Sequence, residues 1–295
     1  MARALRPDSA FLRRLAYAGA RFGPRFVIEH SPKLFGTAFA LALPETRARV
    51  LGNLRRVQGA RGFLSEQRAV VQTFTSYAAC LAESLGIERA DAQDTQVSVI
   101  GKERLDGALA AGHGVILVTA HIGPWDCAAR FLAKDISADV VVVMLAEPDA
   151  AARKMHDAIR ERGGVKVIHV GDHPLDALPL LRHVRNGGVV AIQLDRPAPG
   201  GRSLDVELFG GIEHMPEGPF RLAALSGAPI VPIFAHRLGY FRYEVSIAAP
   251  IRVPKKASAR QLQAAAASAA ETMQSFISRH PTEWFHFASA QPPSK

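Results

Sequence analysis

From Val97 onward, short runs of β-branched residues alternate with stretches whose apolar positions recur at helical spacing. The runs at 97–100, 115–118, 140–145, 165–170 and 189–194, the apolar run ending at Phe234, and 240–248 read as strands. The intervals 102–111, 126–133, 148–162, 175–184, 216–226 and 258–279 read as helices. Such alternation predicts an α/β fold with a mostly parallel sheet flanked by helices. It sets in near residue 95, so residues 95–295 are expected to form one α/β domain. Residues 1–94 read differently, as a helical layer. A helix is expected over 45–58, bracketed by Pro44 and Gly59, and a longer one over 65–85, closed by Gly86. The longer helix carries Val70, Phe74, Tyr77 and Leu81 on one stripe.

Residues 8–42 mix arginines with bulky apolar residues and lead into the nearly all-apolar segment 34–43. Ten residues cannot span a bilayer, which needs ~20. A signal peptide is not expected either, for want of a long apolar core and a small-residue cleavage site. The pattern fits a shallow interfacial anchor, or else a helical cap on the main domain. Charge favours the first. Residues 1–62 hold twelve Lys and Arg against three acids, which accounts for the whole formal net charge of +9. The partner implied is a polyanionic surface, membrane or nucleic acid. Arginines interleaved with large apolar side chains, and no recognised nucleic-acid module, speak against the latter. The expectation is peripheral attachment to an anionic membrane surface. Cys80 and Cys127 make no disulfide framework and suggest a reducing compartment.

The chemistry concentrates in residues 112–129, Gly-His-Gly-Val-Ile-Leu-Val-Thr-Ala-His-Ile-Gly-Pro-Trp-Asp-Cys-Ala-Ala. A buried strand should deliver His121 at its carboxyl end, where open α/β sheets place their ligands. Gly123 and Pro124 then turn the chain into a helix whose first turn holds Asp126. Five apart, His121 and Asp126 do not share a helix face, but across a strand–turn–helix corner they can meet. A carboxylate on one ring nitrogen fixes the tautomer and leaves the other to take a proton from a hydroxyl. The plainer alternative is a loop histidine and a carboxylate serving the helix dipole. With no serine or cysteine placed as an obvious nucleophile, the attacking hydroxyl would be the substrate's. Cys127 adjoins Asp126 but should point away from it.

The strand at 189–194 brings Asp195 and Arg196 to the same sheet edge. Charged residues there are either paired or turned to a ligand. A helix starting at Pro216 would offer free amides to an anion, with Arg221 one turn in. Arg160 near a helix end could fork onto phosphate. No metal site is expected, because His169 and His173 lack supporting acids. No nucleotide loop is expected either, since Gly112-His-Gly fits neither phosphate fingerprint.

The segment Val-Thr-Ala-His-Ile-Gly-Pro-Trp-Asp resembles the His-x4-Asp/Glu signature of the glycerolipid and lysophospholipid acyltransferase superfamily. Its Gly-x-Trp-Asp ending is most similar to the lipid A lauroyl/myristoyl acyltransferases and the phosphatidylinositol mannoside acyltransferases. The likeness continues through Asp195-Arg196 and its glycine-containing loop, Gly-Ala-Pro-Ile-Val-Pro at 227–232, and a late Pro-x-x-Trp at 281–284. The resemblance implies transfer of a fatty acyl group from acyl carrier protein or coenzyme A to a hydroxyl of a glycolipid or lysolipid. The thioester is a co-substrate, and no further cofactor is expected. It makes His121 the general base assisted by Asp126. Gly123, Trp125, Arg160, Asp195, Arg196, Arg202, Gly218 and Arg221 would bind substrate or the oxyanion. Backbone amides near Gly123 or at the Pro216 helix start, with Arg196, are the candidate oxyanion donors. Attachment at the cytoplasmic face of the inner membrane is implied as well. Aminoacyl transfer and lipid hydrolysis on the same scaffold remain open alternatives.

Overall fold

The computed structural model describes residues 17–287, apart from 137, 146–152, 154–156, 159, 162–163, 171–176 and 199. The helix expected over 148–162 lies largely outside the described residues. After a helical segment over 17–22 come α1 (Arg25–Ala42), α2 (Pro44–Gln58) and α3 (Phe63–Leu85). The sheet is built from β1 (Gln96–Ile100), β2 (Val115–Thr119), β3 (Val140–Leu145), β4 (Lys166–Val170), β5 (Val189–Gln193), β8 (Ile230–Gly239) and β9 (Arg242–Ile247). Between its strands lie α4 (Lys102–Ala110), α5 (Trp125–Asp135), α6 (Ala177–Arg185) and α7 (Gly218–Ser226), and α8 (Ala259–Arg279) follows the last one.

The seven strands run in the order β1-β9-β8-β2-β5-β3-β4. Every pairing is parallel except β8 with β9. Central β2 is buried on both faces, as parallel strands between helix layers must be, which is why Val115–Val118 reads as continuous apolar sequence. One core, from Ile116, Val118, Val190 and Ile230, is covered by Phe220 of α7 and by Ala266, Met273 and Phe276 of α8. The other face packs Leu117, Val231 and Val245 against Leu105 of α4 and Ala128 of α5. Besides the sheet there is an antiparallel hairpin, β6 (Ser203–Leu208) with β7 (Gly211–Pro216), turning at Phe209-Gly210. The expected helix start at Pro216 is therefore displaced: Pro216 closes β7, and α7 begins at Gly218.

The helical layer is fastened to the sheet by a buried charge network. Glu83 of α3 accepts from Arg237 Nε and Nη2 at 2.9 and 2.6 Å and from Tyr243 Oη at 2.8 Å. Burial pushes the Glu83 carboxyl upward, outweighing the bonds that favour its charge.

Helix α1 buries its small side. Ile28, Pro32, Gly36 and Ala40 face inward, and a Cβ on Gly36 would stand 2.6 Å from Thr75 Cα, so only glycine allows this approach to α3. Its large apolar residues point out: Phe26 is 70% exposed and Leu34 71%, with Phe35, Phe39 and Leu41 beside them. Phe63 and Leu64 at the start of α3 are likewise exposed. No helix among the described residues is long and apolar enough to cross a membrane.

Candidate active site

Thr119 of β2 pairs with Gln193 of β5, and Leu194 N–H donates to Thr119 O at 2.8 Å. Continuing that register two residues places His121 opposite Asp195. The two meet: His121 Nδ1 lies 2.8 Å from Asp195 Oδ1, which also accepts from the His121 backbone N–H at 3.1 Å. Asp195 Oδ2 accepts from Trp284 Nε1 at 3.2 Å, and His286 Nδ1 stands 3.8 Å away. Burial raises the Asp195 carboxyl. The charge and hydrogen bond of His121, with the charge of Arg196, more than reverse this, and Asp195 sits well below the usual carboxylate range. It is therefore a buried anion that holds the imidazole with Nδ1 protonated. The His121 side chain is 27% exposed, and Nε2 has no hydrogen-bond partner among the described residues.

The expected His121–Asp126 pairing is not what forms. Helix α5 begins at Trp125, which turns Asp126 toward α3. There it accepts from Ser84 Oγ at 2.5 Å and from Arg160 Nε at 3.1 Å. Burial raises Asp126, but the charges of Arg160 and Arg130 and these two bonds bring its carboxyl below the ordinary value. Trp125 stands between the two centres, its ring 6.3 Å from His121 edge-on, with Arg160 Cζ 5.9 Å from its centroid. A cavity of about 180 Å³ opens between α3 and α5, lined by Ser84, Trp125, Asp126, Arg130, Arg160 and Phe285 among others.

Gly123 has φ +55°, and a Cβ there would lie 2.1 Å from Ala235 O, so the turn out of the dyad tolerates only glycine. Its N–H donates to Glu283 O at 2.9 Å, which removes it from the candidate oxyanion donors. Phe285 N–H donates to His121 O at 2.7 Å, and Arg196 Nη2 donates to Phe285 O at 2.6 Å. Arg196 Nε is buried with no partner among the described residues. Residues 283–286 thus wall the site, a role that the late Pro-x-x-Trp resemblance alone did not disclose. Arg202, Gly218 and Arg221 gather elsewhere. Glu217 pairs with Arg221 at 2.7 Å and with Arg202 at 3.9 Å, and Gly218 opens α7 beside them. Among the described residues no hydrogen bond or ion pair joins this cluster to His121. Cys127 is buried, and its thiol is pushed up to about 12 by burial and the neighbouring carboxylates, which disfavours the nucleophilic thiolate. Among the described residues no group of acids, histidines and cysteines could hold a metal ion.

Residues 3–289 match the family described as bacterial lipid A biosynthesis acyltransferase. The chain belongs to that family. A phosphatidylinositol mannoside acyltransferase of Mycobacterium tuberculosis (strain CDC 1551 / Oshkosh) is 32% identical over 134 residues, 45% of this chain and 42% of that protein. One of Mycolicibacterium smegmatis is 28% identical over 140 residues, 47% and 45% of the two chains. The chain thus spans less than half the length of these curated relatives. As a member of the acyltransferase family, it carries a buried-carboxylate–histidine pair at the carboxyl edge of a parallel sheet.

Proposed function

We propose that this protein transfers a fatty acyl group from an acyl thioester, carried by acyl carrier protein or coenzyme A, to a hydroxyl of a membrane glycolipid. The observation that carries this is the His121–Asp195 pair, a partly exposed imidazole braced by a buried anion beside a cavity. The acceptor hydroxyl gives its proton to His121 Nε2 as its oxygen attacks the thioester carbonyl. Asp195 stabilises the imidazolium so formed. The carbonyl oxygen becomes an oxyanion, for which the Arg196 guanidinium, its Nε without a partner among the described residues, is the candidate donor. Collapse breaks the C–S bond, and the leaving thiolate takes the proton back from His121. Asp126, Arg160 and Trp125 line the acceptor's side. A small apolar pocket under Trp125, walled by Ala128, Val142, Ile192 and Phe234, suits the first carbons of the acyl chain.

The large apolar side chains on the outer face of α1 and at the start of α3 supply the membrane contact, and the excess arginines of residues 1–62 draw the protein to anionic lipid. Tyr77 and Leu81 of α3, both partly exposed, line the cavity from the helical layer, the side from which an acceptor would enter. The proposed location is peripheral, on the cytoplasmic face of the inner membrane, as the family resemblance implies. The test is mass spectrometry of lipids incubated with an acyl thioester and wild-type or His121→Ala protein. Wild type should yield an acylated glycolipid. The folded variant should lose roughly 10²–10⁴-fold in rate. Free fatty acid as the sole product would make the protein a hydrolase, and undiminished transfer by the variant would remove His121 from the mechanism.

A further inference from the structure

Arg130 of α5 is 3% exposed, and its Nε, Nη1 and Nη2 are all buried without a hydrogen-bond partner among the described residues. A guanidinium carries five donors and no practical way to lose its charge. Leaving it so is costly, and such residues in native proteins are normally paired. Arg130 lines the cavity beside Asp126 and Arg160. Asp126 is committed to Arg160 and Ser84. Glu83, also buried on α3, is committed to Arg237 and Tyr243. Among the described residues lining the cavity, two guanidinium groups therefore share one carboxylate, an excess of one positive charge.

We propose that Arg130 receives the phosphodiester of a phosphoglycolipid acceptor, which completes its hydrogen bonds and neutralises the cavity. One uncompensated charge matches a phosphodiester, a monoanion, better than a phosphate monoester or a diphosphate. A planar donor fork matches two non-bridging phosphate oxygens. Tyr77 and Leu81 of α3, both partly exposed, line the cavity on the side of the helical layer, where the acyl-transfer reading docks the lipid. Anchoring the diester here holds the sugar hydroxyls near Trp125 and His121. The identity of the anion's owner rests on the acyl-transfer reading, whereas the anion site rests on Arg130 itself.

The test is thermal melting of the full chain, wild type and Arg130→Gln and Arg130→Met, with sn-glycero-3-phosphoinositol, with neutral methyl mannoside, and with coenzyme A against pantetheine. Glycerophosphoinositol should raise the wild-type Tm, methyl mannoside much less, and both variants should bind the diester roughly 10- to 100-fold more weakly. Without ligand, Arg130→Met should melt at or above wild type, since it removes a buried unpaired charge. In transfer assays the preference in kcat/KM for a phosphodiester over a neutral glycoside acceptor should collapse toward one. Equal diester binding by wild type and both variants overturns the proposal even if transfer proceeds normally. An Arg130-dependent shift with coenzyme A but none with glycerophosphoinositol also overturns it, by giving the site to the donor. Diester binding that needs Arg130 in a protein that transfers no acyl group would leave the anion site standing and remove the acyl-transfer reading.

Discussion

Replacing Asp195 by asparagine separates the dyad from every other explanation of the site. The carboxylate accepts from three N–H groups: the His121 backbone, His121 Nδ1 and Trp284 Nε1. Asparagine has one acceptor oxygen and one NH2 in their place. With the oxygen toward His121, the amide hydrogens confront the indole N–H, and a buried donor is orphaned at a cost of about 1–3 kcal/mol. Turned the other way, the amide donates to His121 Nδ1, moves the ring proton to Nε2 and leaves no base for the hydroxyl. In both orientations the charge that balances an imidazolium is gone. Loss of the base should lower kcat/KM by roughly 10²–10⁴-fold, about 3–5.5 kcal/mol in the barrier. Stability carries its own mark. The Asp195 carboxyl is depressed on folding, so its contribution is present above the unfolded value of about 3.9 and lost as pH falls toward the folded one. The asparagine variant should accordingly show a flatter acid limb in its urea-unfolding free energy. The assay is initial-rate acyl transfer at matched folded fractions, with Asp126→Asn alongside. Activity within tenfold of wild type in Asp195→Asn, with a larger loss in Asp126→Asn, would refute the dyad and restore Asp126 as the histidine's partner.

Two further outcomes follow from the geometry. Gly123→Ala forces a Cβ against Ala235 O at a positive φ. Backbone strain alone costs about 1–3 kcal/mol, so the midpoint of urea unfolding should fall and transfer should drop with it; an unchanged midpoint would refute the close approach. His236 Nδ1 lies 2.8 Å from Glu283 Oε1, which raises its pKa against the opposing effect of burial. The folded protein then binds the extra proton, so this stabilisation is complete below about pH 6.5 and is lost as pH rises through the folded value. The stacked His280 is lowered, chiefly by burial and by the His236 charge, and so acts on the acid side instead. Stability above pH 6.5 should decline less steeply in His236→Gln, and identical slopes in the two proteins would discard the pair.

Much of the fold was legible because its strands are buried on both faces and its helices are amphipathic, so each announces its own period. The class and nearly every strand of the sheet emerge from that alone. The hairpin β6–β7 was not foreseen, although Ser203–Leu208 alternates polar and apolar, because its charged outer residues read as loop. The dyad was half legible. The end of an apolar strand marks His121, but periodicity carries no strand order, and only the adjacency of β2 and β5 sets Asp195 beside it. Asp126 was the nearer carboxylate along the chain and the wrong one in space. Arg130 was invisible for a related reason. Within α5 it looks like any solvated arginine until α3 closes over it.

The segment 283–286 supplies Trp284 to Asp195, Phe285 to the His121 backbone, and Glu283 to Gly123. Its partners precede it by 89 positions, from Asp195 to Trp284, up to 164, from His121 to Phe285. On a nascent chain, the sheet and its histidine are therefore synthesised well before the residues that lock them. Competence is acquired late, when a distant strand of backbone is laid across the mouth of an otherwise finished sheet. Closing so long a loop is slow and is rewarded only by the contacts it makes. A half-made copy can therefore hold His121 beside Asp195 before Trp284 and Phe285 arrive to brace the pair.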